Sequence, residues 1–155
     1  MADIVSSQEL AEGSAGGRVF SGSLLNFFSV PGGKEAKQAC RKKGAILHVA
    51  SYEVDDGDLI ELARAGGALA FSFSDILPEP GFRRAILISK MRLLLSACRR
   101  RGTGFVVCSL AKNANELRGA RELSAFAAVL GMADVERKGA EKRLELLCGA
   151  AKVDK

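Results

Sequence analysis

The sequence predicts an α/β fold built on a parallel sheet, and three observations carry that prediction. Ala68–Ser74 and Gly104–Ser109 are short apolar runs rich in β-branched and aromatic residues, each ending in small polar residues, as strands covered on both faces do. Between them, Phe82–Arg101 is too long for a strand, and Leu87, Met91, Leu94 and Cys98 fall on one helical face while Arg92, Ser96 and Arg99 fall on the opposite one. A helix joining two strands in this way is a βαβ crossover, so the two strands should be parallel.

Taken in order, the chain keeps the same rhythm. Ala2–Ser6 reads as a short strand, Gln8–Glu12 as a turn or short helix, and Gly13–Gly17 as a flexible break. Arg18–Ser23 and Leu24–Val30 are two further strand candidates, with Phe20, Leu25, Phe27 and Phe28 available for a core. Pro31-Gly32-Gly33 turns the chain into a helix over Lys34–Lys43, whose C-terminal cap should be Gly44. Ala45–Ala50 is then a strand and Asp58–Ala65 a short helix ending at Gly66-Gly67. Past the central unit and its apolar helix ending near Met132, Val135–Leu147 forms a last helix with Leu144 and Leu147 inward. One domain over 1–150 accounts for the chain, with 151–155 a frayed tail.

Composition excludes several classes of function. No apolar run approaches the ~20 residues that span a membrane, and the N-terminus lacks the pattern of a signal peptide. Cys40, Cys98, Cys108 and Cys148 form no CxxC pair and read as reduced core residues of a cytoplasmic protein. A metallohydrolase needs clustered His and carboxylates, yet His48 is the sole histidine and sits inside an apolar strand, where a hydrogen-bonded structural imidazole is expected. The same shortage counts against His-dependent nucleophilic catalysis, and Ser109 has only Lys112 nearby as a base. Pro31-Gly32-Gly33-Lys34 fits neither GxxxxGK[ST] nor GxGxxG. The reading assigns no catalytic residue, no metal and no cofactor.

A basic surface is what remains. Net charge is +5, and Arg83, Arg84, Lys90, Arg92, Arg99, Arg100 and Arg101 follow one another without an acid among them. A solvated helix face with cations at its C-terminus, where the dipole favours them, accounts for Arg99–Arg101, but surface helices ordinarily intersperse Glu for pairing one turn away, so a polyanionic partner stands beside that reading as its equal. Lys112, Arg118 and Arg121 gather where a strand-end loop feeds a helix, and guanidinium forks beside free helix N–H groups favour phosphate. Arg118 and Arg121 lie three apart and, in helical geometry, point to one side. The competing role for both is bonding to loop carbonyls or to Glu116 and Glu122. With Tyr52 the lone tyrosine, stacking on single strands is disfavoured, and contacts to structured RNA would go to phosphate and 2′-hydroxyl groups.

The run Gly81–Met132 resembles the C-terminal half of archaeal ribonuclease P protein component 3, the thirty-kilodalton subunit family. The resemblance lies in Phe82-Arg83-Arg84-Ala85, the basic helix after it, Cys108-Ser109-Leu110-Ala111-Lys112, Leu117-Arg118-Gly119-Ala120-Arg121-Glu122 and Leu130-Gly131-Met132, in the family's order. A weaker resemblance continues upstream to about Leu24. The chain departs from the family at Ala120, where a proline is usual, and at the acidic loop Tyr52–Asp58, where the family has a basic, His-containing one.

The resemblance implies a (β/α) TIM-barrel-like fold, abbreviated because the strand candidates fall short of eight. It implies a non-catalytic subunit of ribonuclease P, assisting the catalytic RNA in removing the 5′ leader from precursor tRNA. Its implied partners are that RNA, precursor tRNA and the ferredoxin-like component 2, with a homodimer as another way to complete the barrel. The RNA-facing residues it implies are Arg84, Lys90, Arg92, Lys112, Arg118 and Arg121. The alternatives are an enzyme on a truncated barrel that binds a phosphorylated small molecule through Lys112, Arg118 and Arg121, and a structural half-barrel that binds proteins only.

Overall fold

The computed structural model describes residues 2–5, 18–21 and 26–150. Gln8–Glu12, Gly13–Gly17, Leu24, Leu25 and the tail 151–155, for which the sequence raises expectations, lie outside the described residues.

Among the described residues, twelve segments are defined. The strands are β1 (Ala2–Val5), β2 (Arg18–Ser21), β3 (Phe27–Val30), β4 (Ile46–Val49), β5 (Ala68–Ser72) and β6 (Gly104–Cys108). The helices are α1 (Gly33–Cys40), α2 (Asp56–Arg64), α3 (Gly81–Arg101), α4 (Ala120–Val129) and α5 (Asp134–Ala150), with a 3-10 turn at Ala114–Glu116. β3-β4-β5-β6 form one parallel sheet in sequence order, and β1 pairs in parallel with β2. The main chain of β1 reaches the end of β6 through one bond, Leu110 N–H to the Ile4 carbonyl at 2.9 Å. Among the described residues the ladder does not close on itself.

The strand order decides where the helices go. β3 to β6 advance in one direction, and right-handed crossovers then place every connecting helix on one face. Leu47, Val49, Leu69, Phe71, Phe105 and Val107 on that face pack against Ala36, Ala39 and Cys40 of α1, Leu59 and Leu62 of α2, Met91, Leu95 and Cys98 of α3, and Leu123 and Phe126 of α4. The alternate residues Ile46, Ala68, Ala70, Val106 and Cys108 face the other way, where Ile4 from β1 and Leu144 and Cys148 from α5 cover them. α5 passes so close to the start of β6 that a Cβ on Gly104 would stand 2.8 Å from Arg143 Nε.

The periodicity of α3 is realised: Met91, Leu94 and Cys98 are buried, Leu87 is half-buried, and Arg92 and Arg99 are exposed. Its C-terminus closes on Gly102 in the left-handed region at φ 68°. Phe82, Ile86 and Leu93 break the pattern by facing solvent. α1 is shorter than expected, ending with Arg41 as C-cap; Gly44, at φ 65°, serves the turn into β4 instead. Leu144 is buried and Leu147 partly so, as expected. All four cysteines are buried thiols. No helix of the described residues is long and apolar enough to cross a membrane.

Candidate functional site

Parallel strands deliver their C-terminal ends to one edge, where α/β sheets commonly bind ligands. At the β3-β4-β5 end of that edge a polar network forms. The ladder sets Ser29 opposite His48, so both side chains stand on the same face. Ser29 Oγ lies 2.8 Å from His48 Nδ1, and His48 Nε2 lies 2.7 Å from Asp75 Oδ2, just past β5. The same Asp75 oxygen accepts the Tyr52 hydroxyl at 2.7 Å, and that hydroxyl accepts the Ser72 N–H at 3.0 Å.

Tyr52 is placed at some cost. Its φ of 53° is uncommon for an aromatic residue. A tight turn (Tyr52 N–H to the Val49 carbonyl, 3.0 Å), a ring stacked on Phe71 at 6.0 Å and the two hydroxyl bonds hold it there. Burial and then the Asp75 charge push the phenol well above its ordinary pKa, so it remains a donor. Burial alone would raise Asp75, but hydrogen bonds from His48 and Tyr52 and the Lys112 charge outweigh it, leaving the carboxyl below its usual range. An ionised carboxylate only accepts, so in its neutral form the His48 ring carries its proton on Nε2 and turns an open Nδ1 lone pair to the Ser29 hydroxyl. His48 is 5% exposed, whereas Ser29 is exposed. The imidazole expected to be structural is therefore the middle of a chain that reaches solvent.

β1 and β6 meet around a second carboxylate. Asp3 Oδ1 accepts the Ile4 and Ser109 N–H groups at 2.8 and 2.6 Å, and Oδ2 accepts the Ser109 hydroxyl at 2.6 Å. Burial raises the Asp3 pKa despite these bonds. Ser109, weighed above as a nucleophile paired with Lys112, is instead fully buried and donates to Asp3.

The six basic residues singled out above have different partners. Arg84 donates to the carbonyls of Ile76, Leu77 and Glu79, bracing the loop before α3. Arg92 donates twice to the Val129 carbonyl at the C-terminus of α4. Lys90 pairs with Glu53 at 2.6 Å. Arg118 donates to the carbonyls of Asn115 and Leu117 and lies over the Phe73 ring. Lys112 is exposed beside Asp75 and Glu116. Arg121 lines a cavity of about 510 Å³ between α4 and α5, with Arg137, Lys138 and Glu141.

Arg118 and Arg121 therefore diverge, because Arg118 precedes the N-cap Gly119 and helical spacing does not apply to it. The acids that α3 lacks come from its neighbours: Glu53 for Lys90, Asp56 for Arg101 and Glu136 for Arg99. Sequence reasoning missed Ser29, Tyr52 and Asp75 as a group. Tyr52 and Asp75 both carried a signal, as residues at the C-terminal ends of strands where such folds place functional groups, whereas Ser29 carried none, since the Ser29–His48 register cannot be read from one strand. Among the described residues, no three His, Cys, Asp or Glu side chains gather as a metal site would require. No family model matches the chain, and no curated protein matches it.

Proposed function

We propose that the chain is a protein subunit of ribonuclease P on an abbreviated, TIM-barrel-like fold, assisting a catalytic RNA in removing the 5′ leader from precursor tRNA. One observation carries this reading: the residues that resemble the component 3 family fall at the joints of the β5–α3–β6–α4 unit. Arg84 braces the loop into α3, Arg118 braces the loop into α4, Glu122 accepts the Gly119 N–H at 2.9 Å, and Gly131 ends the unit at φ 92°. Residues that fix loop geometry are the ones a shared fold would need in common.

The one-sided winding of the sheet is also what a barrel half requires. Of the six, RNA contact falls to Lys112 and Arg121, exposed cations that are not engaged in bracing a loop or in pairing with Glu53, and they act on phosphate rather than bases. The apolar stripe of Phe82, Ile86 and Leu93 on α3 is the surface for component 2.

Reconstitution tests this. The purified chain, with its companion subunits and cognate RNA, should raise the rate of precursor tRNA cleavage; a mixture cleaving equally well without it would remove the reading. In a folded Lys112→Glu, Arg121→Glu variant, RNA affinity should fall and its salt dependence should flatten by about one unit for each phosphate no longer neutralised.

A further inference from the structure

The Ser29–His48–Asp75 chain stands in the order that nucleophilic catalysis uses: an exposed hydroxyl, an imidazole with a free lone pair, and a partly buried carboxylate that fixes the ring. A structural imidazole needs only two bonding partners, and two buried ones would serve best. Here the outer partner is an exposed serine on β3, the edge strand of the four-stranded sheet. The inner partner is itself held, since Tyr52 donates to the same Asp75 oxygen and is locked by Phe71 and the Ser72 N–H. Base, orienter and orienter's support are thus all in place, at the strand ends where ligands bind in parallel sheets.

We propose that this rim is a hydrolytic site for activated carboxylic esters, separate from any RNA-assisting role. Ser29 Oγ bonds to the ester carbonyl carbon while its proton passes to His48 Nδ1 and the carbonyl electron pair moves to oxygen. Collapse of that adduct breaks the bond to the alcohol, which leaves with the proton from Nδ1. Water then loses a proton to Nδ1, attacks the acyl-serine and releases the carboxylic acid, and Ser29 recovers the proton. Water is the only co-reactant. Asp75 and Tyr52 are positioning residues, holding the ring with its proton on Nε2 throughout. The first turn of α1 follows β3 at this edge and offers backbone N–H groups for the oxyanion.

The test uses the full chain with a fluorophosphonate probe and with p-nitrophenyl acetate, read by intact mass and peptide mapping. One adduct on Ser29 is expected, absent in Ser29→Ala, with ester turnover lost in parallel. His48→Gln should slow labelling about 100-fold or more. Asp75→Asn should slow it less and move the pH midpoint of the labelling rate to lower pH, a change that purely structural support would not produce. A folded wild-type chain that takes no adduct, or takes one elsewhere, overturns the proposal. So does Ser29 labelling at an unchanged rate in folded His48→Gln. Should that variant not fold, Asp75→Asn decides by the same criterion. Precursor tRNA cleavage is untouched by these outcomes, so the two readings fail independently.

Discussion

Two carboxylates end up on opposite sides of their ordinary pKa although each accepts three or fewer hydrogen bonds near a strand end. Asp3, between β1 and β6, accepts three bonds from neutral donors and is raised by burial. Asp75, beyond β5, is a quarter exposed, accepts from an imidazole and a phenol, faces Lys112 and is lowered. Counting bonds does not separate them. What separates them is whether water and positive charge reach the oxygen, because neutral donors alone repay only part of the desolvation of an ion. Asp3 is a clasp, and Asp75 is a group poised at a solvent edge.

The largest test of this contrast is Asp3→Ala. It strands the buried Ile4 and Ser109 N–H groups, while the Ser109 hydroxyl keeps only the Ile4 carbonyl at 3.4 Å, at about 1–3 kcal/mol per orphaned donor. A loss of about 2–6 kcal/mol, read from urea unfolding, is expected. Asp75→Ala should cost about 1–2 kcal/mol, because water can replace an acceptor at the rim. Equal losses in the two variants would erase the distinction.

pH sharpens the comparison, because the two groups act with opposite sign. Asp75 is lower in the folded state, so its contribution is complete above the ordinary value of 3.8 and is lost as pH falls through the folded value beneath it. Asp3 is higher in the folded state, so its contribution is complete below 3.8 and is lost as pH rises through the folded value above it. On acidification from neutrality the Asp3 gain arrives first and the Asp75 loss follows. Urea midpoints from about pH 7 to about pH 3 should show Asp3→Asn lacking the gain and Asp75→Asn lacking the later loss. Superimposable profiles for the two variants would contradict the assignment.

Smaller effects belong to the surface. Arg99 forms a fork with Glu136, both N···O distances 2.7 Å, but the pair is partly exposed. Arg99→Ala should cost about 0.5–1 kcal/mol, less at high salt. Least of all, burial pushes the Cys40 thiol up to about 11 and the Cys98 thiol up to about 12. Neither should react with a disulfide reagent at neutral pH before denaturant is added, and rapid modification of either in the folded protein would show the core to be open.

The alternation of strand and helix, the parallel pairing of β5 with β6 and the buried face of α3 were legible because each rests on local spacing. Met91, Leu94 and Cys98 must share a face in any helix, and a crossover as long as α3 can only join parallel strands. Strand ends and helix caps were legible to within a few residues, as Gly44 shows. The destinations of long side chains were not. The run from Arg83 to Arg101 reads as unpaired charge because its acids, Glu53, Asp56 and Glu136, arrive from segments before and after it. Arg118 and Arg121 look like neighbours until the N-cap at Gly119 falls between them. The partners of His48 were hidden because they are Ser29 and Asp75, which only strand register and the turn after β5 bring within 3 Å of the ring. Periodicity within an element follows from the backbone's own geometry, whereas a hydrogen bond between elements depends on their packing, and that only the folded chain decided.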